Sequence, residues 1–153
     1  MIEIRHATKA DRNLLKKMYL SEVEDHAERA DKFAEQLINR FNTLLALQNG
    51  ELRGTLSWEA RGGYDDGVAE LVGLGVNSKF QRQGIASELV ERMIEEASIF
   101  YSERGYALRV ILLFMEYGNE GARRFYSQMG FSEVARMPNL YPHDDGVIWT
   151  RHF

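Results

Sequence analysis

The feature that most constrains what this chain can fold into is the stretch from Val68 to Glu103. Val68-Ala69-Glu70-Leu71-Val72-Gly73-Leu74-Gly75-Val76 is a near-continuous apolar run bounded by turn residues, and such a run predicts a buried strand. Beyond it, Ile85, Leu89, Met93, Ala97 and Phe100 recur at helical spacing, with Glu88, Glu91, Arg92, Glu95 and Glu96 largely on the opposite face. Between strand and helix lies the polar turn Gln81-Arg82-Gln83-Gly84. A turn of this kind presents the helix's first amide groups, unpaired and aligned with the helix dipole, to whatever lies in the loop. Such an end binds anions, phosphate above all. Gly84 and Ala86 are small enough to let a pyrophosphate approach the main chain. The turn has neither the G-x-G-x-x-G of a dinucleotide fold nor the G-K-[ST] of a P-loop. Many αβ units open a helix with glycine and bind nothing, so this spacing leaves both readings open.

The 153 residues suit one domain, 1–153, with a sizeable core. A net charge of −4 argues against a nucleic-acid partner, which calls for a basic face. The absence of cysteine removes disulfides, zinc–thiolate sites and a cysteine nucleophile together. Met1-Ile2-Glu3-Ile4-Arg5-His6 shows no basic region followed by an apolar core. No apolar run reaches membrane-spanning length, so a cytoplasmic protein without a membrane partner is expected.

Read in order, Ile2 to Ala7 forms a short strand, and Thr8 and Asp11 offer caps for a helix through Leu14, Leu15, Met18 and Tyr19. The acidic cluster Glu22, Glu24, Asp25, Glu28 and Asp31 reads as a solvated helix face or loop, or as a wall for a cationic substrate. A second helix carries Phe33, Leu37, Ile38 and Phe41 on one side. Thr43 to Gln48 and Leu52 to Ala60 pair across Asn49-Gly50, the dipeptide of a type I′ hairpin. Arg104-Gly105 closes the central helix, and Ala107 to Met115 is another buried strand. A last helix opens at Asn119 and Glu120 and closes at Gly130. Phe131 to Met137 and Val147 to Phe153 are strands joined by a loop over 138–146. The order β-α-α-β-β-β-α-β-α-β-β mixes hairpins with crossovers and predicts an α/β fold with a mixed sheet flanked by helices.

Two motifs carry a resemblance. Gln81-x-x-Gly84-x-Ala86 after an apolar strand is similar to the acyl-CoA signature of the GNAT superfamily of N-acetyltransferases. Asn119-x-x-Ala122-x-x-Phe125-Tyr126 followed by Gly130-Phe131 resembles the same family's second signature, in the family's order and spacing. Ala86 and Gln81 stand where glycine and arginine are commoner. The resemblance implies the GNAT fold, with its strongly twisted sheet, and an enzyme that moves an acetyl group from acetyl-CoA, its co-substrate, to a primary amine by direct attack. The coenzyme pyrophosphate is then implied on the amides of about Arg82, Gln83, Gly84, Ile85, Ala86 and Ser87, with Gln81 a further implied coenzyme contact. Leu74, Gly75 and Val76 are implied to face the pantetheine, and a backbone N–H near Val76 the oxyanion. Asn119, Phe125 and Tyr126 complete the implied coenzyme contacts.

Single residues keep two readings each. Tyr126 can donate to a departing thiolate, a role the resemblance favours, or be a core aromatic. Asn119 can reach the pantetheine or cap its helix. Glu70 shares strand parity with Val72, Leu74 and Val76, an otherwise apolar row, so it is paired, at a wet end, or functional. It resembles, by its separation from the glycine turn, the general-base glutamate of GNAT histone acetyltransferases. His6, His26, His143 and His152 have no metal-ligand spacing, and no metal is expected. The acceptor, a small molecule or a protein, stays open. Leu140-Tyr141-Pro142-His143 weakly resembles the tyrosine-bearing hairpin of protein N-terminal acetyltransferases, while the acidic helices suit a polyamine or a lysine. A homodimer is compatible with the sequence. The rival function is a non-catalytic coenzyme A sensor. Gly84→Asp sets a side chain and a negative charge against the pyrophosphate, so coenzyme A affinity should fall at least about tenfold, about 1.4 kcal/mol, as read by calorimetry on the folded variant.

Overall fold

A computed structural model describes residues 1–78, 81 and 84–153. Its elements are β1 (Glu3–His6), α1 (Arg12–Glu22), α2 (Ala27–Asn39), β2 (Asn42–Gln48), β3 (Glu51–Arg61), β4 (Val68–Val76), α3 (Ile85–Ser102), β5 (Val110–Glu116), α4 (Glu120–Gln128), β6 (Ser132–Tyr141) and β7 (Asp144–His152). The strands hydrogen-bond in the order β1-β2-β3-β4-β5-β7-β6. β4 and β5 pair parallel, while the other described pairings are antiparallel, which is the mixed α/β sheet expected from the element order. The chain divides into two compact units, Met1–Glu59 with Gly73–Glu96 and Ala60–Val72 with Ala97–Phe153.

In the first unit, β2 turns into β3 through Asn49 (φ 54°) and Gly50 (φ 77°), the paired left-handed conformations of a type I′ turn. The face of β2 bearing Leu45 and Leu47 packs with Leu15 of α1 and Ala34 and Leu37 of α2. The buried stripe of α2 is Ala30, Ala34 and Leu37. Phe33, Ile38 and Phe41 only half-cover its edges, because small alanines let the helix backbone approach the sheet and push the larger rings to the rim. The acidic residues that face the helices are matched by cations. Arg12 reaches Asp31 and Glu35 at 2.7 Å each, and Arg29 reaches Glu24 at 2.9 Å. The solvated-face reading therefore accounts for Glu24 and Asp31.

Ahead of α1, Thr8 caps a 3₁₀ turn (Lys9–Asp11) in a capping box. Asp11 is 3% exposed and accepts two 2.8 Å bonds from Arg5 and one of 2.7 Å from the Thr8 amide.

In the second unit, β5 pairs with β7 from Val110↔His152 to Glu116↔Gly146. Ile111, Leu113, Met115, Val147 and Trp149 are buried on one face with Tyr126 and Phe131. Leu112, Phe114, Glu116, Ile148 and Thr150 alternate onto the other face and are half-buried or exposed. Two expectations are corrected here. The segment over 138–146 is a hairpin, since β6 runs through Pro138 to Tyr141 and β7 begins at Asp144. Proline is tolerated because β6 is an edge strand, and the register shifts between Met137 and Tyr141 around Asn139 at φ 57°. β5 starts at Val110 rather than Ala107, because the amides of Arg109 and Val110 both donate to the Gly67 carbonyl.

Arg5, then burial opposed by the Thr8 amide, sets the Asp11 acidity, and the guanidinium bonds win, holding the carboxyl down at about 2. A depressed carboxyl contributes stability that is fully present above its unfolded value of about 4 and is lost as pH falls toward 2. The melting temperature should therefore drop between pH 4 and 2 more steeply in the native chain than in Asp11→Asn. At neutral pH that substitution should cost up to about 2 kcal/mol, measured by denaturant unfolding.

Candidate active site

The parallel register between β4 and β5 covers Val68↔Val110 to Glu70↔Leu112, although β4 continues to Val76. Burial along β4 changes at the same place. Ala69 and Leu71 are buried, whereas Val72, Gly73 and Gly75 are exposed and Leu74 and Val76 half-buried. The apolar run thus corrects the expectation of a strand buried throughout. Its second half keeps main-chain groups at an open surface, and a side chain at Gly73 or Gly75 would meet nothing within 4 Å.

From this strand end the first unit turns into α3. The amide of Asn77 donates to the Arg53 carbonyl at 2.7 Å, and the Gln81 side-chain amide donates to the Val76 carbonyl at 3.3 Å. Gly84 sits at φ 80°, a left-handed conformation that favours glycine, with open space where a Cβ would point. Its carbonyl accepts the Glu88 amide at 3.1 Å. By helical geometry the amides of Ile85, Ala86 and Ser87 then have no acceptor within α3. Ile85 is 2% exposed and anchors the helix start in the core, while Ala86 and Ser87 are half-buried. Leu74, Gly75, Val76, Gln81, Gly84, Ile85, Ala86 and Ser87 are therefore gathered in one unit as a strand end facing a helix start. The donor set fits a phosphate group. Arg82 and Gln83 lie outside the described residues.

The second unit holds the residues with acid–base chemistry. Glu70 projects from β4 on the face opposite Ala69 and Leu71, with its side chain 13% exposed and Oε1 2.5 Å from Nη2 of Arg61. That oxygen forms an ion pair without an aligned N–H···O bond, so attraction to the guanidinium is the dominant contact. Glu70 is thus a paired carboxylate on an open row. The row it shares with Leu112, Phe114 and Glu116 is not the buried one, because register and alternation place the core residues at the other parity. Asn119 is the N-cap of α4, its side chain accepting the Ala122 amide at 3.1 Å.

Tyr126 packs edge-on against Phe125 and Phe131, with centroids 5.0 and 5.6 Å away. It is 8% exposed, and burial pushes its phenol up to about 12. Among the described residues no hydrogen bond links its hydroxyl to another group, and none joins it to Glu70. The ring is a core aromatic and the hydroxyl a donor still to be used, so the two readings of Tyr126 are compatible.

One cluster escaped the sequence. Nε2 of His143, in the β6–β7 turn, lies 3.1 Å from Oε1 of Glu116 at the end of β5. Burial and then the Glu116 charge raise the nearby Tyr141 phenol. Asp144 locks this turn by accepting the Gly118 amide at 2.8 Å. The signal lay in the hairpin tyrosine, but the partner strand that brings Glu116 alongside is set by register. Among the described residues no group of three or more His, Asp or Glu is placed to hold a metal ion, and no helix is long and apolar enough to cross a membrane.

Comparison with known proteins gives this geometry a family. The model of the acetyltransferase (GNAT) family matches residues 10–131. The [ribosomal protein bS18]-alanine N-acetyltransferase of Escherichia coli strain K12 is 33% identical over 78 residues, 51% of this chain and 49% of that protein, so the chain spans about half the length of the curated relatives it matches. The crystal structure of the ribosomal-protein-S18-alanine N-acetyltransferase from Escherichia coli superposes with a TM-score of 0.78 at 22% identity, covering 99% of this chain and 94% of the other. Arabidopsis thaliana NAA60, solved in complex with acetyl-CoA, gives 0.75 at 20% identity over 100% and 99%. At these identities the structures speak for the fold alone, while the family model covers most of the chain through both signatures, and the protein belongs to the GNAT family of acetyltransferases.

Proposed function

We propose that this acetyltransferase moves the acetyl group of acetyl-CoA to a primary amine by direct attack, and that the amine is the N-terminus of a protein. The observation that carries the reading is the strand end Leu74–Val76 set against the helix start Gly84–Ser87, with left-handed Gly84 between them. Three amides without an acceptor in their own helix are suited to a pyrophosphate, and the stretch of β4 beyond its described pairing with β5 to amide groups that add to it like a strand. The relative named for acetylating an alanine of bS18 supports a protein N-terminus as acceptor. The whole chain, 1–153, would act as one such domain.

In this reading the amine nitrogen bonds to the thioester carbonyl carbon and the carbon–sulfur bond breaks. A main-chain N–H near Val76 stabilises the oxyanion. Glu70 takes the amine's proton on its carboxylate. The hydroxyl of Tyr126 donates to the leaving sulfur. With its phenol at about 12 against a thiol of about 8.5, full transfer from Tyr126 is uphill by about 5 kcal/mol. A strong hydrogen bond to the developing thiolate is the larger part of its work, and the phenol stays protonated throughout the working pH range. The deciding experiment incubates the protein with acetyl-CoA and a panel of peptides with free N-terminal Ala, Ser or Met, beside lysine peptides and spermidine, with products read by mass spectrometry. N-terminal acetylation supports the reading, and exclusive modification of spermidine or lysine overturns its acceptor.

Tyr126→Phe keeps the ring between Phe125 and Phe131 and removes only the donor. Its kcat should fall roughly 10²-fold with coenzyme affinity and melting temperature retained, and a wild-type kcat would leave Tyr126 as packing. Glu70→Gln should lower kcat by at least about tenfold near neutrality, recovering in part at high pH where the free amine forms unaided. Rates that match wild type at all pH values would assign the proton to another acceptor.

A further inference from the structure

We infer that Gly54 of β3 is a positioning residue for the coenzyme, and that its lack of a side chain sets how closely the end of β4 and the start of α3 lie on β3. The inference rests on the proposed reading of that turn as the coenzyme's seat. Gly54 lies within a buried strand, paired with Ala46 of β2. Its φ is not left-handed, so the backbone does not call for glycine. Glycine inside a strand forfeits packing and conformational entropy, and a reason for keeping one should be found in what stands over it. A Cβ at this position would lie 3.0 Å from the Gly75 carbonyl oxygen, 3.3 Å from Cγ2 of Val76 and 3.4 Å from Cγ2 of Ile85.

All three neighbours belong to the last two residues of β4 and the first of α3. The adjacent residue of β3 holds the residue that follows β4, through the 2.7 Å bond from the Asn77 amide to the Arg53 carbonyl. β3 therefore ties the turn down at one residue and makes room for it at the next. Gly73, Gly75 and Gly84 behave differently, since a Cβ on any of them would meet nothing within 4 Å. A methyl at Gly54 must push the Gly75 peptide and the opening of α3 outward by a few tenths of an ångström. The Val76 and Ile85 amides would tilt with them. Hydrogen bonds weaken steeply as they lose alignment, so coenzyme affinity falls while the fold, with more apolar surface in its core, holds.

The test measures acetyl-CoA dissociation constants by calorimetry and melting temperatures for wild type, G54A, G54V and G67A. Gly67 is the control, because its Cβ would lie 2.2 Å from the Ala107 carbonyl at φ 63° in the unit that does not carry the turn. The constant should rise about fivefold in G54A and about twentyfold or more in G54V, with the melting temperature of G54A within a few degrees of wild type. G67A should lose melting temperature and keep its affinity. Unchanged affinity in G54A overturns the inference, and so does failure of G54A to fold, which would make the glycine a requirement of folding. A wild-type protein that does not bind acetyl-CoA would overturn the proposed function, and this inference with it.

Discussion

The structure depends first on the burial of one stripe of α3. Ile85, Leu89, Val90 and Met93 are 0–2% exposed, and each such side chain removed from water contributes roughly 1.5–3 kcal/mol. That anchoring holds the first turn of the helix in place although its amides lack intrahelical partners. Without it, a helix start with three orphan donors would fray into the loop. The first amides of α3 are thus held in place by the apolar packing of the same helix.

The two units differ in the kind of group they carry. The first unit carries main-chain groups: those of β4 beyond its described pairing with β5, and the first amides of α3. The second carries side chains with acid–base chemistry, Glu70 and Tyr126, with Glu116 and His143 at the end of β5. Main-chain groups are permanent in charge and geometry, which suits a ligand that does not vary. Side chains vary freely on an open sheet face such as that of Phe114 and Ile148, which suits a family whose acceptors differ.

Much of this was legible beforehand. The element order, the Asn49-Gly50 hairpin, the apolar face of α3 and the caps at Thr8 and Asn119 are all local signals, set by residues within a few positions of one another. Both signatures were readable for the same reason, since each lies within one short segment of the chain. The errors share the opposite cause. Pro138 reads as a loop residue until it is known to lie on an edge strand. The apolar run of β4 reads as buried until its pairing with β5 is seen to cover only its first three residues.

By itself, then, the sequence determined the secondary structure, the family and the turn that defines it, because hydrophobic periodicity and turn chemistry are properties of short segments. Only the tertiary structure decided the environments. It placed Arg61 against Glu70, buried Tyr126 between two phenylalanines, brought His143 to Glu116 and set Gly54 under Gly75 and Val76. Apart from the neighbouring Phe125 and Tyr126, each of these contacts joins residues at least five apart, and their distances are fixed by register and packing, which no local pattern encodes.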